Sequence, residues 1–250
     1  QGVSQDTKDI TTLGRGGSDL TAVALAAALY ADVCEIYTDV DGIFSADPRV
    51  VPNARKVPRI TYDEMMELAA AGAKVLHLRC VEYAKRFDLS IHVRSSFSDK
   101  EGTFVIADLA DQSKLMKLSK LGAIMEQPII SGVAHDLGDA KITVVGVPDR
   151  PGMAAAIFQA VADAGINMDM IVQNVSVRES AATDLTFTCP RGDATKAELA
   201  LRRIEKVVAF KDIDTDENIG KISLVGAGMR SHPGVSATFF KAIADAGVNV

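Results

Sequence analysis

The sequence has few of the features that mark secreted, membrane or metal-binding proteins. Its three cysteines, Cys34, Cys80 and Cys189, lie far apart, which excludes a CxxC motif and argues against a disulfide framework. We therefore expect a reducing compartment, the cytoplasm. No apolar run reaches the roughly 18 residues that a membrane-spanning helix needs. Residues 1–10 do not read as a signal peptide, so no membrane partner is indicated.

Basic charge is also scarce. The formal net charge is −6, the isoelectric point is about 5.3, and no basic run with interleaved aromatics is present. This composition argues against a nucleic-acid partner. No spacing of histidines and cysteines suggests a metal ligand set. The length of 250 residues allows more than one domain, with 48% apolar residues as in ordinary globular proteins.

Glycine is concentrated where a helix pattern begins, in TTLGRGGSD, residues 11–19. We predict a helix over 18–30, with Ser18 or Asp19 as its N-cap, buried against a sheet because it is apolar nearly all round. A helix N-terminus offers unpaired N–H groups and partial positive charge, and Arg15 could clamp a carboxylate or phosphate. The stretch therefore predicts an anion cradle; the alternative is a plain glycine turn.

Strand and helix patterns alternate through the first hundred residues, which favours an α/β layer architecture. The predicted elements are a strand over 33–38, a helix from Tyr62 capped by Thr61 and ending near Gly72, a helix over 79–87 and a strand over 89–96. Residues 98–127 are richer in Asp, Lys, Ser and Gln and read as a linker.

An internal repeat follows. Residues 142–168, ITVVGVPDRPGMAAAIFQAVADAGINM, match residues 222–250, ISLVGAGMRSHPGVSATFFKAIADAGVNV, with two extra loop residues in the second copy. In the first copy, strands over 170–177 and 184–189 and a helix over 195–208 continue the pattern. This succession predicts the ferredoxin-like, split βαβ fold.

Each copy places Pro-Gly at the start of a helix, which again suits an anion such as the carboxylate of a free amino acid. The ammonium of such a ligand needs an acceptor, and the first copy offers Asp149, Asn167, Asp169 and Gln173. The alternative is that the repeats serve only to form dimers.

Three motifs in order, TTLGRGGSD, YTDVDGIFSADPR (residues 37–49, the Asp-rich motif) and GAKVLH (residues 72–77), followed by the paired repeats, resemble aspartate kinases (aspartokinases). The resemblance covers essentially the whole chain. It implies an α/β amino-acid kinase fold followed by two ferredoxin-like βαββαβ ACT domains, the second one truncated. The implied boundaries are the C-terminal half of the kinase domain at 1–112, a linker at 113–127, a first ACT domain at 128–220 and an incomplete second one at 221–250.

The resemblance also implies roles. Arg15, Gly16, Gly17 and Ser18 would hold aspartate, with Arg15 and Asp19 in the catalytic cluster. ATP, bringing Mg²⁺ with it, would contact Thr38, Asp39, Phe44, Arg49 and Lys74. Lysine, threonine or both would bind as effectors between ACT domains of a homo- or hetero-oligomer. The implied effector residues are Asp149, Pro151, Gly152, Asn167, Asp169, Gln173, Asn174, Pro233, Gly234 and Asn249. The strand over 129–135 would pair with the second repeat because the two ACT domains of the family are interleaved.

Several alternatives stay open. Asp39 and Asp41 could be turn residues, Phe44 could be core and Lys74 could be solvated. Family members begin with a strand and a Lys-Phe-Gly-Gly motif that this sequence lacks, so we expect a fragment that is inactive alone. A non-catalytic amino-acid-sensing subunit is the second hypothesis, and another amino-acid kinase is the third.

Overall fold

The computed structural model describes residues 2–107, 130–175, 182–226 and 234–250. It divides into two compact units, each treated by itself below. The larger unit comprises Gln1–His135 with Ile222–Val250, and the smaller unit comprises Asp136–Lys221. No helix in the described residues is both long and apolar enough to cross a membrane.

The larger unit alternates helices and strands, as the sequence predicts. Its helices are α1 (Gly17–Ala28), α2 (Tyr62–Ala70), α3 (Leu78–Arg86) and, after the smaller unit, α6 (Val235–Asp245). Its strands are β1 (Gly2–Val3), β2 (Ile10–Thr11), β3 (Val33–Thr38), β4 (Ile43–Phe44), β5 (Lys56–Val57), β6 (Arg59–Thr61), β7 (Ser90–Ser95), β8 (Thr103–Ile106), β9 (Gly132–Asp136) and β14 (Lys221–Val225).

A four-stranded mixed sheet in the order β3-β7-β8-β6 is the centre of this unit. β3 and β7 run parallel, β6 and β8 run parallel, and β7 and β8 run antiparallel. Ile91 and Val93 on β7 are fully buried in one core with Val23 of α1, Met65 of α2 and other side chains. This arrangement confirms the mixed α/β class.

The structure corrects two expectations in this unit. Residues 98–127 were expected to be a linker, but β8 lies inside the sheet between β7 and β6. The strand pattern of β8 is only four residues long and follows a polar stretch, so it did not stand out from the expected linker. Helix α1 was expected to be buried against a sheet because it is apolar nearly all round, yet Leu25 and Leu29 are 58% and 70% exposed. The predicted linker at 113–127 lies outside the described residues.

Helix α2 begins with a capping box. Thr61 Oγ1 accepts from the Glu64 N–H at 3.2 Å, and the Glu64 carboxylate accepts from the Thr61 N–H at 3.1 Å. The same carboxylate also accepts a hydrogen bond from Ser131 Oγ, just before β9. The predicted cap Thr61 is therefore correct, and its partner Glu64 connects α2 to a residue 67 positions further along the chain.

The smaller unit is a single antiparallel sheet with two helices. Its elements are β10 (Asp139–Pro148), α4 (Met153–Asp163), β11 (Ile171–Val175), β12 (Ala182–Pro190), a 3₁₀ turn over Arg191–Asp193, α5 (Ala194–Val208) and β13 (Asp212–Asp216). The strand order β11-β12-β10-β13 is that of the ferredoxin-like fold. Ile142, Ile157, Phe187 and Leu201 are fully buried in its core.

The second copy of the repeat reproduces the beginning of the first. Strand β14 and helix α6 correspond to β10 and α4, and both helices start after a glycine with positive φ, 95° at Gly152 and 101° at Gly234. Strand β14 pairs with β9, and the Ser131 N–H donates to the Val225 carbonyl at 2.7 Å. A strand from before the first copy therefore pairs with the second.

We predict that Thr61→Ala lowers the free energy of unfolding by about 1 kcal/mol, because it removes one half of the capping box. Urea denaturation followed by circular dichroism measures this change. Thr12→Ala is the matched control, since Thr12 is exposed and no side-chain hydrogen bond is recorded for it within the described residues. Equal midpoints for the two variants would contradict the stabilising role of the cap.

Candidate functional site

The glycine loop, residues 14–17, turns the chain into α1 through two left-handed residues, Gly14 at φ 78° and Gly16 at φ 72°. The N-cap is Gly16, with no side-chain hydrogen bond to the cap. The expectation of Ser18 or Asp19 as N-cap was wrong. The turn permitted by Gly16 starts the helix earlier, at Gly17, so both side chains lie in the first turn.

The beginning of α1 remains open to a ligand. The Gly17 N–H donates to the Gly14 carbonyl at 3.1 Å, and the Leu20 N–H donates to the Gly16 carbonyl at 3.1 Å. No backbone acceptor is recorded for the N–H groups of Ser18 and Asp19 in the described part of the chain. Such first-turn N–H groups, at the positive end of the helix dipole, are suited to an anion.

The GAKVLH motif contacts the glycine loop through His77. A Cβ atom on Gly16 would lie 2.3 Å from His77 Cγ, so the imidazole packs directly on the glycine backbone. His77 is also the N-cap of α3, and Lys74 of the same motif is exposed. The lack of a side chain at position 16 was the available sequence signal for this contact.

Asp19 lies close to two buried thiols. Burial raises the pKa of Cys80 to about 12, and the Asp19 carboxylate contributes in the same direction. Burial, and then Asp19, also raise the pKa of Cys34. These thiols therefore stay protonated at neutral pH and act as core residues.

The Asp-rich motif leaves β3 at Thr38, next to the end of β7. The Thr38 carbonyl accepts from the Ser96 N–H at 2.8 Å, and Thr38 Oγ1 donates to Asp39 Oδ1 at 3.1 Å. Phe44 is half-buried on the short strand β4. Thr38 and Asp39 thus lie at an edge where two parallel strands end, a usual place for ligands in α/β proteins.

Arg49 is held in a fork by Asp47. Arg49 Nε and Nη2 donate to the two carboxylate oxygens at 3.0 and 2.9 Å, and the Arg49 side chain is 74% exposed. The hydrogen bond from Arg49 lowers the pKa of Asp47 to about 2. The sequence did not indicate that Asp47 positions Arg49; a carboxylate two residues before an arginine was the available signal.

The expected effector residues lie mostly on exposed parts of the smaller unit. Asp149, Pro151 and Gly152 precede α4, Asn167 follows it, and Gln173 and Asn174 are exposed on β11. In the larger unit, Gly234 and Asn249 are exposed at the two ends of the α6 segment, and Pro233 lies outside the described residues.

The two aspartates among these candidates differ. Asp169 is paired with Lys221, which also lies 3.1 Å from Asp139. Burial lowers the pKa of Lys221, but hydrogen bonds to Asp169 and Asp139 outweigh this and raise it. For Asp149, no hydrogen bond or ion pair of its side chain is recorded in the described residues. Asp149 is therefore the better placed of the two to meet a ligand ammonium.

The described residues contain no group of three or more histidine, cysteine, aspartate or glutamate side chains that could hold a metal ion. The structure groups Gly16 with His77, Asp19 with the buried thiols, and Asp47 with Arg49. No side-chain contact between the glycine loop and the Asp-rich motif is recorded in the described ranges.

Comparison with known proteins defines the class. The model of the amino acid kinase family matches residues 1–95, and two ACT domain models match residues 141–209 and 222–250. Aspartokinases from Mycobacterium tuberculosis and Corynebacterium glutamicum are 59% and 51% identical over all 250 residues, each over 57% of its own length. The chain is thus an amino-acid kinase segment followed by ACT domains.

Solved structures agree. Escherichia coli aspartokinase III in complex with aspartate and ADP has a TM-score of 0.76 at 28% identity, over 96% of this chain and 50% of that one. The same enzyme in complex with lysine and aspartate has a TM-score of 0.62 at 29% identity, over 88% and 45%. The chain is thus similar to aspartokinases along its whole length, and it spans about 57% of the length of the curated relatives it matches.

We predict that Gly16→Ala destabilises the protein more than Gly14→Ala. Both positions have positive φ, so each alanine costs roughly 1–2 kcal/mol of backbone strain. At Gly14 nothing lies within 4 Å of a new Cβ, whereas at Gly16 it would meet His77. We expect about 1–3 kcal/mol more loss at Gly16, by analogy with overpacked sites.

Urea denaturation of the two variants side by side separates the clash from the strain. Equal loss of stability would show that His77 moves away without cost and does not support the loop.

Proposed function

We propose that the protein containing this chain is a feedback-regulated aspartate kinase. It would transfer the γ-phosphate of ATP to the β-carboxylate of L-aspartate, the first step toward lysine, threonine and methionine. The observation that carries the proposal is the open, glycine-capped start of α1 with Arg15, Ser18 and Asp19 beside it, in a chain similar to aspartokinases along its whole length. The aspartate and ADP complex of the Escherichia coli relative supports it.

Aspartate would bind at the glycine loop. Its carboxylates suit the first-turn N–H groups of α1, and the exposed Arg15 guanidinium offers a two-pronged contact. Ser18 Oγ lies 3.4 Å from Asp19 Oδ1, a distance that leaves the hydroxyl free to turn toward a substrate. In this proposal Asp19 orients the polar groups around the reacting carboxylate, and Gly16 and Gly17 let the backbone approach it.

ATP would bind at the Asp-rich motif. Thr38 and Asp39 would face the base and ribose, Phe44 would pack beside them, and Lys74 would reach the nucleotide from its exposed position. Arg49 keeps Nη1 available for a phosphate oxygen, because Nε and Nη2 are already bound to Asp47. A Mg²⁺ ion would arrive with ATP and neutralise phosphate charge.

The reaction requires little covalent chemistry from the protein. A β-carboxylate oxygen attacks the γ-phosphorus, the bond to the bridging oxygen of ADP breaks, and the products are aspartyl phosphate and ADP. Catalysis of phosphoryl transfer depends almost entirely on positioning and charge stabilisation. Arginine and backbone N–H groups, as at Arg15, Arg49 and the start of α1, supply both.

Regulation would come from the ACT domains. We propose that lysine, threonine or both bind between ACT domains of an oligomer, with the carboxylate on the N–H groups near Gly152 and the ammonium facing Asp149. Asn167, Asp169, Gln173 and Asn174 would border this site, and Pro233, Gly234 and Asn249 would serve the equivalent site of the second repeat. The Escherichia coli relative crystallised with lysine supports a site for that amino acid. Cytoplasmic location stays a prediction from the cysteine content.

In the full-length enzyme, Arg15→Ala should lower kcat/KM for aspartate by roughly 100-fold, because it removes a charge-assisted clamp. Coupled measurement of ADP release with varied aspartate checks this. Arg203→Ala, an exposed arginine on α5, is the control and should behave as wild type. Unchanged kcat/KM for Arg15→Ala would show that the glycine loop is only a turn. No aspartate-dependent ADP release from the wild type would overturn the kinase assignment.

Asp149→Ala should raise the lysine or threonine concentration needed for half-maximal inhibition by roughly 10- to 150-fold, because it removes a charged hydrogen-bond partner worth about 1.5–3 kcal/mol. The measurement is a titration of both amino acids, singly and together, against the full-length enzyme. Asp214→Ala, an exposed aspartate on β13 of the same domain, is the matched control. Superimposable curves for the Asp149 and Asp214 variants would rule out Asp149 as a ligand.

A further inference from the structure

The segment between β7 and β8, residues 96–102, lies against the Asp-rich motif, and two of its side chains bind one carboxylate of that motif. Ser98 Oγ donates to Asp41 Oδ1 at 2.6 Å, and Lys100 Nζ donates to Asp41 Oδ2 at 2.7 Å. Both carboxylate oxygens of Asp41 are therefore occupied. Hydrogen bonds from Lys100 and Ser98 lower the pKa of Asp41, so it is ionised at neutral pH.

The backbone on either side of Asp41 is fixed as well. The Ile43 N–H donates to Thr103 Oγ1 at 2.8 Å, and the fully buried Thr103 hydroxyl donates onward to the Val57 carbonyl at 2.6 Å. Gly42 has φ 125°, and a Cβ there would lie 2.5 Å from Thr103 Oγ1. The motif can follow this path only because position 42 carries no side chain.

The 96–102 segment is itself anchored to the sheet. At its start the Ser96 N–H donates to the Thr38 carbonyl at 2.8 Å. At its end the Glu101 carbonyl lies 2.6 Å from His92 Nε2, and the His92 ring stacks on Phe104 with centroids 3.9 Å apart. A rigid support thus meets the Asp-rich motif at Thr38, Asp41 and Ile43, immediately before Phe44.

We propose that Ser98 and Lys100, acting through Asp41, are positioning residues for the nucleotide. This inference rests on the proposed function, in which Thr38, Asp39 and Phe44 contact ATP. Asp41 does not reach the nucleotide in this account, because both of its oxygens are already bound. It holds the motif in the shape that the nucleotide needs, and the 96–102 segment holds Asp41.

Loss of the contacts to Asp41 should weaken the binding of ATP and leave the binding of aspartate unchanged. If the motif is loosened, only a fraction of the molecules has the conformation that binds ATP. The apparent affinity for ATP falls in proportion to that fraction. The aspartate site at the glycine loop has no recorded contact with Ser98, Lys100 or Asp41 in the described residues. The KM for ATP should therefore change and the KM for aspartate should not.

The test compares Asp41→Asn with Asp99→Asn in the full-length enzyme. Asp99 lies in the same segment, is exposed, and has no recorded side-chain partner within the described ranges, so it is a control for the same chemical change. We expect Asp41→Asn to raise the KM for ATP about tenfold, the scale of one charge-assisted hydrogen bond, with the KM for aspartate within about twofold of wild type. Asp99→Asn should match wild type in both.

The double variant Ser98→Ala with Lys100→Met removes the two donors to Asp41 and leaves Asp41 itself unchanged. It provides the test if Asp41→Asn fails to fold. The single variant Lys100→Arg should keep the wild-type KM for ATP, because arginine still offers a charged donor to Asp41. A merely structural role would lower the melting temperature and the amount of active enzyme without this split between the two KM values.

The outcomes distinguish a failure of the positioning role from a failure of the kinase assignment. If the wild type forms aspartyl phosphate but Asp41→Asn and the double variant keep the wild-type KM for ATP, the positioning role is wrong and the kinase assignment stands. If the wild type neither binds ATP nor forms aspartyl phosphate, the proposed function fails and this inference fails with it.

Discussion

A glycine with positive φ before a helix is the constraint on which the candidate aspartate and effector regions depend. Gly16, Gly152 and Gly234 precede α1, α4 and α6, and none of these helices has a side-chain hydrogen bond at its cap. Helix α2, by contrast, has both its cap and its third residue bonded in the Thr61–Glu64 box. A helix that closes its own N-terminus cannot offer those N–H groups to a ligand. The glycine-capped helices give up a stabilising cap and leave first-turn N–H groups of the kind that suit an anion.

Polar contacts between distant parts of the chain hold the Asp-rich motif and the start of α2 in the larger unit. Glu64 joins α2 to Ser131, Thr103 joins the Asp-rich motif to Val57, and Asp41 joins it to Ser98 and Lys100. Each joins residues that are far apart in sequence. Fixing an irregular loop in one conformation costs more conformational entropy than a single hydrogen bond returns. A precisely shaped site therefore needs several such contacts to a rigid sheet.

Local features were predictable from the sequence. The strand at 33–38, the Thr61 cap, the helix at 195–208 and the ferredoxin-like succession follow from periodicity and capping residues, and the structure places them within one residue or so. The motifs that resemble aspartokinases predicted the similarity that the comparisons show, because several of them in fixed order are improbable by chance. Such features depend on residues close together in the chain, whose preferences are readable without the fold.

The sequence by itself therefore determined the class of fold, the repeat and the positions of the glycine-rich turns. The tertiary structure decided that Gly16 caps α1 and that β8 enters the sheet. It also decided that Lys221 forms an ion pair with Asp169, and that Ser98 and Lys100 donate to Asp41. Each of these depends on a partner many residues away or on a backbone angle that several residue types could have supplied. Periodicity and propensity carry no information about such partners. Only the folded chain selects them, as where the packed sheet brings β7 and β8 beside the Asp-rich motif.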